Sequence, residues 1–194
     1  GQVTAQVLLT TKSGTNAKCR KNANPTFDEL FKRQVVPIVN ENDAISVDEL
    51  SYGNFGDNDT LAAYVSRLVD ADLLILMSDI DGLYTDDPRK NPNARFIHTV
   101  GKIGRSLENM AKGASSDCGT GGMATKIKAA KIATAAGADM IIANGDNIYS
   151  INDVMNGKKV GTLLLSEQHQ KEMSEEVAPE RAEFRRQAKR EKKV

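Results

Sequence analysis

The chain has 194 residues, with 26 Lys and Arg against 26 Asp and Glu, 40% hydrophobic positions, 5% aromatic positions and no tryptophan. That length allows one domain or part of a larger one, and a formal charge of zero excludes the summed basic field on which nonspecific nucleic-acid binding depends. No apolar run approaches the ~18–20 residues needed to cross a bilayer. The opening segment from Gly1 to Thr10 has no basic n-region and no small-residue cleavage site. A soluble, cytoplasmic protein with no nucleic-acid or membrane partner is therefore expected. Cys19 and Cys118 match no zinc spacing and read as free thiols.

In chain order, Val3 to Leu9 and Val35 to Val39 are short runs rich in Val, Ile and Leu, the signature of buried strands. Between them, Thr26 to Arg33 predicts a short helix opened at Pro25 and Thr26. A second helix is expected from Thr60 to Val69, behind the polar Gly56-Asp-Asn-Asp, with Asp57 and Asp59 near its positive dipole end. Leu73 to Met77 is a strand-length apolar run ended by Ser78-Asp-Ile-Asp-Gly. After a loop holding Pro88 and Pro92 comes Gly119-Thr-Gly-Gly, then a helical run from Met123 to Ala136 that Gly137 stops. Asp139 to Asn144 is again a strand ending in a polar loop. Strand, helix and strand in that order imply a right-handed βαβ crossover and a parallel sheet. The predicted class is α/β. Residues 167–194 interleave Glu with Arg and Lys and lack an apolar stripe, which predicts a solvated helix or a disordered tail, with a subunit or domain interface as the alternative.

In an open parallel sheet, ligands bind outside the carboxyl ends of the strands. That rule selects Asn40-Glu-Asn-Asp43, Ser78-Asp-Ile-Asp-Gly and Asn144-Gly-Asp-Asn, which are expected to face one cleft; ordinary turn chemistry accounts for each segment taken singly. The stretch Gly119-Thr-Gly-Gly-Met-Ala-Thr-Lys126 is more informative. Its glycines let backbone N–H groups approach an anion, the following helix adds its dipole, and Lys126 supplies a point charge suited to phosphate oxygens. It matches neither the Walker A spacing nor the dinucleotide fingerprint, and a surface loop before an ordinary helix is the competing reading. Asp57, Asn58 and Asp59, together with Asp43, offer an amide and carboxylates that suit a small zwitterion's ammonium or Mg²⁺; a helix cap at Asp57 or Asp59 is the plainer alternative. The only histidines, His98 and His169, have no neighbouring ligand or triad pattern and read as surface or capping residues. A phosphate-gripping loop beside an acidic, amide-rich segment points to phosphoryl transfer from a nucleotide. A carboxylate acceptor needs no general base, consistent with the lack of a credible catalytic histidine.

Taken together, Val36-Pro-Ile-Val-Asn-Glu-Asn-Asp43, Gly56-Asp-Asn-Asp59, Leu73 through Ser78-Asp-Ile-Asp-Gly-Leu-Tyr-Thr-Asp-Asp-Pro-Arg89, and Gly119 to Lys126 resemble glutamate 5-kinases of the amino acid kinase family. The same kinase domain forms the front part of bifunctional pyrroline-5-carboxylate synthases. The resemblance implies a three-layer α/β sandwich with a mainly parallel sheet, and ATP-dependent phosphorylation of the γ-carboxylate of L-glutamate, with Mg²⁺, for proline synthesis. It assigns Lys126 and Asp59 to catalysis, Lys126 neutralising the transferring phosphoryl and Asp59 orienting lysine. It assigns Asp43 and Asn58, with Asn40 and Asp57 beside them, to glutamate. The nucleotide falls to Ser78, Asp79, Thr120, Gly121, Gly122, Met123, Ala124, Thr125 and Lys126, with Tyr84 and Asp87 near its base and sugar. It also implies a homo-oligomer and proline as feedback inhibitor. A kinase acting on aspartate or uridylate, and a noncatalytic nucleotide- or proline-binding module, are the alternatives. The family's opening strand with its V-x-K-x-G-S pattern, and a later serine-rich turn, have no counterpart here. The chain is thus expected to be the carboxyl-terminal portion of a kinase domain over residues 1–166, incomplete at its N-terminus. Residues 1–70 would lie on the glutamate side and 71–166 in the ATP lobe, followed by the charged tail 167–194. Such a chain is expected to be a poor kinase by itself.

Overall fold

The apolar runs become strands. In the computed structural model, which describes residues 1–10, 16–44, 57–113 and 122–174, the elements in chain order are β1 (Thr4–Leu9), α1 (Ala17–Lys32), β2 (Val36–Glu41), α2 (Asn58–Leu68), β3 (Leu73–Ser78), β4 (Leu83–Tyr84), β5 (Phe96–Ile97), β6 (Thr99–Val100), α3 (Arg105–Gly113), α4 (Met123–Ala135), β7 (Asp139–Asn144), α5 (Ser150–Met155) and β8 (Thr162–Leu164). A further helix, α6, covers residues 167–174. β1 and β2 form a parallel pair, Thr4 opposite Val36 through Leu9 opposite Glu41. The second sheet runs β3-β7-β8-β6. Its β3 and β7 are parallel, Leu73 opposite Asp139 through Ser78 opposite Asn144, while β8 is antiparallel to β7 and parallel to β6. β4 and β5 pair antiparallel as a separate ribbon.

The larger sheet is covered on both faces, which is why β3 and β7 read as unbroken apolar runs instead of alternating ones. On one face, Leu76, Met140, Ile142 and Leu164 pack with Ala63 of α2 and Ile127, Ala129, Ala130 and Ala133 of α4. The small alanines let both helices lie close to the sheet and to each other. On the other face, Ile141 and Ala143 pack with Val154 of α5, beside Leu73, Ile75 and Met77. Two helical layers around one sheet give the three-layer α/β sandwich.

The α1 helix corrects the expected start at Pro25. It begins at Ala17 and carries Pro25 inside it, although an interior proline lacks the N–H that would close a helical turn. Tertiary packing overrides that punctuation: Ala23 and Phe27, one turn apart, bury the same face against Leu9, Leu61 and Leu68, while Pro25 itself is exposed.

Two buried polar groups tie the larger sheet to its surroundings. Thr162, fully buried, accepts the Leu83 N–H at 2.8 Å and donates to the Ile97 carbonyl, linking β8 to both strands of the β4–β5 ribbon. A Thr162→Val substitution keeps the shape but strands that N–H and that carbonyl, so it should cost about 2–3 kcal/mol in urea denaturation. At the amino end of β7, Asp139 accepts the Ser166 N–H at 2.7 Å and contacts His169 Nδ1 at 2.6 Å, docking α6 against the sheet. His169 is thereby a tether between elements, beyond the surface or capping part its sequence context suggested. Among the described residues no helix is long and apolar enough to cross a membrane.

Candidate active site

The α4 helix starts at Gly122, whose extended backbone (φ −74°, ψ 179°) offers no side-chain cap. The first-turn amides and the positive dipole end are therefore left to whatever anion approaches. One turn in, Lys126 turns inward: its Nζ donates to Asp59 Oδ2 at 2.9 Å, with side-chain exposures of 9% and 18% for the pair. The Thr125 hydroxyl lies 3.3 Å from the same Asp59 oxygen and 2.7 Å from the Gly122 carbonyl. Asp59 belongs to the first turn of α2, so the N-termini of two helices meet over one ion pair. Two dipole ends and a lysine oppose a single carboxylate there, an arrangement that favours further negative charge.

A second group forms where β3 and β7 end side by side. The Gly145 N–H donates to the Ser78 carbonyl at 2.7 Å, Asn144 Nδ2 donates to Asp81 Oδ1 at 2.8 Å, and Ser78 Oγ lies 3.0 Å from Asp79 Oδ1. The loops after the two strands are thus clamped to each other. Close beyond them, Tyr84 meets Phe96 edge-on, with ring centroids 5.1 Å apart, and a cavity of about 80 Å³ is lined by Ile80, Tyr84, Asp86, Met123 and Ile127 among others. The Asn91 amide, at 2.7 Å, and then the Asp87 N–H, at 2.8 Å, hold the Asp86 carboxyl below its ordinary range. Asp87 in turn accepts the Arg89 N–H at 3.0 Å.

The third expected segment stands on the other sheet. Asn40, at the end of β2, and Asn58, at the start of α2, line a groove of about 520 Å³. Asp43 follows in an exposed turn. Two of the three loop segments expected in one cleft are joined by hydrogen bonds, whereas the β2 segment reaches the site through α2. Thr120 and Gly121 lie outside the described residues, as do Cys118 and the side chain of Cys19. Among the described residues no three His, Cys, Asp or Glu side chains gather as a metal-holding group.

Residues 1–144 match the amino acid kinase family. The chain belongs to the amino acid kinase family. This family member is 50% identical over 165 residues to the glutamate 5-kinase of Clostridium perfringens, covering 84% of the chain and 61% of that protein. It is 54% identical over 162 residues to the glutamate 5-kinase of Clostridium tetani, covering 84% and 60%. The chain therefore spans about three fifths of the length of these curated relatives. Its fold is shared with the isopentenyl phosphate kinase of T. acidophilum (TM-score 0.51, 18% identity, 84% of this chain and 60% of that one). It is shared also with the UMP kinase of Ureaplasma parvum (TM-score 0.54, 15% identity, 86% and 60%).

Within this amino acid kinase chain, Asp57 occupies a position that capping explains. Its carboxylate accepts the Thr60 N–H at 2.6 Å from an extended backbone, as an N-cap does. Asp57→Ala should cost about 1 kcal/mol of stability by thermal or urea denaturation, a loss that a purely ligand-binding aspartate would not produce. Asp81 and Asn144, which hold the two loops together, had no individual role in the sequence reading. The available signal was their shared type and place: short polar residues immediately after two apolar strands.

Proposed function

We propose that the protein acts as a glutamate 5-kinase, transferring the γ-phosphoryl group of ATP to the γ-carboxylate of L-glutamate to give glutamyl 5-phosphate, the first step of proline biosynthesis. The observation that carries this reading is the Lys126–Asp59 pair at the meeting of two helix N-termini, in a chain half identical to proteins named glutamate 5-kinase. The acceptor carboxylate is ionised at neutral pH and attacks phosphorus directly; its new O–P bond forms as the bond to the β-phosphate bridging oxygen breaks, and ADP leaves. No proton has to be removed. What the protein supplies is position and positive potential.

In this reading the uncapped turn Gly122 to Thr125 receives phosphate oxygens, with Thr120 and Gly121 in the preceding stretch. Lys126, oriented by Asp59, faces the phosphoryl in transit. Ser78 and Asp79 contact the nucleotide beside the clamped loops. Asn40, Asp43 and Asn58 hold the amino acid, with Asp57 shaping that side chiefly as the cap of α2. Mg²⁺ would accompany the nucleotide, held mainly by phosphate oxygens as such ions commonly are. Residues 1–70 supply the glutamate side and 71–166 the ATP side. Feedback inhibition by proline, a homo-oligomeric assembly and a cytoplasmic location belong to the same proposal.

The test is ADP release with L-glutamate, L-aspartate or UMP as sole acceptor. Release dependent on glutamate, and slow with the other two, is the expected result. Release driven by aspartate or UMP but not glutamate would replace the acceptor assignment, and ATP binding without any turnover would make the protein a binding module.

A further inference from the structure

β3 and β7 end in register, Ser78 opposite Asn144, and the chain leaving one strand is tied twice to the chain leaving the other. The Gly145 N–H donates to the Ser78 carbonyl at 2.7 Å, and Asn144 Nδ2 donates to Asp81 Oδ1 at 2.8 Å. These ties fall on either side of Asp79 and Ile80, so that dipeptide is bracketed, with both ends held by two adjacent residues of the facing loop. A segment this short, fixed at both ends, has few main-chain conformations left.

The bracketed residues connect two parts of the site. Asp79 is exposed at the strand ends, where ligands of open parallel sheets bind. Ile80 packs against the core that contains Ile127, and it lines the small cavity together with Met123, the first residue of α4. The dipeptide therefore reaches from the proposed nucleotide contact to the start of the helix whose uncapped turn is assigned the phosphates. Asn144 is itself held in one orientation. Its Oδ1 accepts the Asp146 N–H at 2.8 Å, which leaves Nδ2 as the end turned toward Asp81. Because Asp81 is exposed and Asn144 half-buried, water competes for their hydrogen bond, and it adds little to global stability. What it restrains is the position of one loop against the other.

We propose that Asp81 and Asn144 are positioning residues for the nucleotide: their bridge fixes the spacing between Asp79 and the first turn of α4, and thereby sets the affinity for ATP. The proposal rests on the reading of Ser78, Asp79 and the α4 turn as the nucleotide site. Neither bridging side chain has to touch the nucleotide, since the bridge acts through the main chain of residues 78–81. Which side supplies the donor is then immaterial, and a bridge of reversed polarity should serve equally well.

The test measures ATP binding by calorimetry, and thermal midpoints, for the 194-residue chain, for Asn144→Asp, and for the exchanged pair Asp81→Asn, Asn144→Asp. Asn144→Asp keeps an acceptor for the Asp146 N–H but sets two carboxylates against each other where a hydrogen bond stood. Its Kd for ATP should rise about tenfold, with the thermal midpoint little changed. The exchanged pair again has one donor and one acceptor at the original net charge, and its Kd should return to within roughly threefold of the starting value. Unchanged affinity in Asn144→Asp overturns the proposal, as does an exchanged pair that binds as weakly as the single variant. Weak binding with a matching fall in thermal midpoint also overturns it, because the bridge would then hold the fold and not the site. Absence of ATP binding in the unsubstituted chain overturns the nucleotide reading itself, and the proposal with it. No acceptor is present, so the outcome is separate from that of the glutamate assay.

Discussion

Lys126→Met is expected to lower the rate of phosphoryl transfer by about 10²–10³-fold, the usual effect of removing one preorganised positive contact to a developing charge. The KM for ATP should change much less, because the uncapped turn from Gly122 remains in place. The same substitution leaves Asp59 at 18% side-chain exposure with, among the described residues, the Thr125 hydroxyl as its remaining hydrogen-bond partner, so stability should fall by about 2–3 kcal/mol, below the cost for a fully buried pair because some solvent reaches the carboxylate. Asp59→Asn keeps the shape and frees Lys126 from its orienting partner; rate and stability should both drop. The combined Asp59→Asn, Lys126→Met variant separates the two effects. With no unpaired charge remaining, its urea midpoint should lie above the value expected from adding the single losses, while its rate stays as low as that of Lys126→Met. An unchanged rate in Lys126→Met would refute the role given to this lysine.

Gly161→Ala is expected to abolish or nearly abolish folded protein, with a cost of roughly 4 kcal/mol or more. At φ +68° the residue is in the left-handed region, and an added Cβ would fall inside the radius of the Ile142 carbonyl oxygen and 3.1 Å from the Ala143 Cα. Both obstacles are backbone of β7, whose Ile142 pairs with Thr162, so neither can give way without opening the sheet. Gly157→Ala is the control. Its φ is +74° but nothing stands within 4 Å of the added carbon, so only the backbone preference is lost, about 1 kcal/mol. Soluble yield and thermal midpoint for the two variants should differ accordingly. Similar values would mean that the close approach at Gly161 is not structurally constraining.

The sequence carried the parts of the fold whose signal is local and long enough. Leu73 to Met77 and Asp139 to Asn144 are uninterrupted apolar runs because both faces of their sheet are covered. α4 declared itself through glycines before it and Gly137 after it, the latter at φ +103°. β4, β5 and β6 span two residues each, too few for any periodicity, and they exist because Thr162 and neighbouring strands supply partners from far along the chain. The start of α1 was misplaced because Pro25 is a strong local signal for the opening of a helix, while the burial of Phe27 that overrides it depends on residues of α2. The site divides likewise. Lys126 was legible from its place in a helix after a glycine-rich stretch, and Asp59 from its place at another helix start. Their 2.9 Å contact joins residues 67 positions apart, and it came into view through the family resemblance and the three-dimensional packing together. The clamp between Asp81 and Asn144 likewise spans 63 positions and required the fold.

The two ends of β7 serve opposite poles of the molecule. Asn144 restrains the Asp81 loop at one end, while Asp139, five residues earlier and so about 17 Å away along the strand, anchors α6 at the other. The strand works as a spacer: loosening the Asp139 anchorage of α6 acts about 17 Å from the loop that Asn144 clamps.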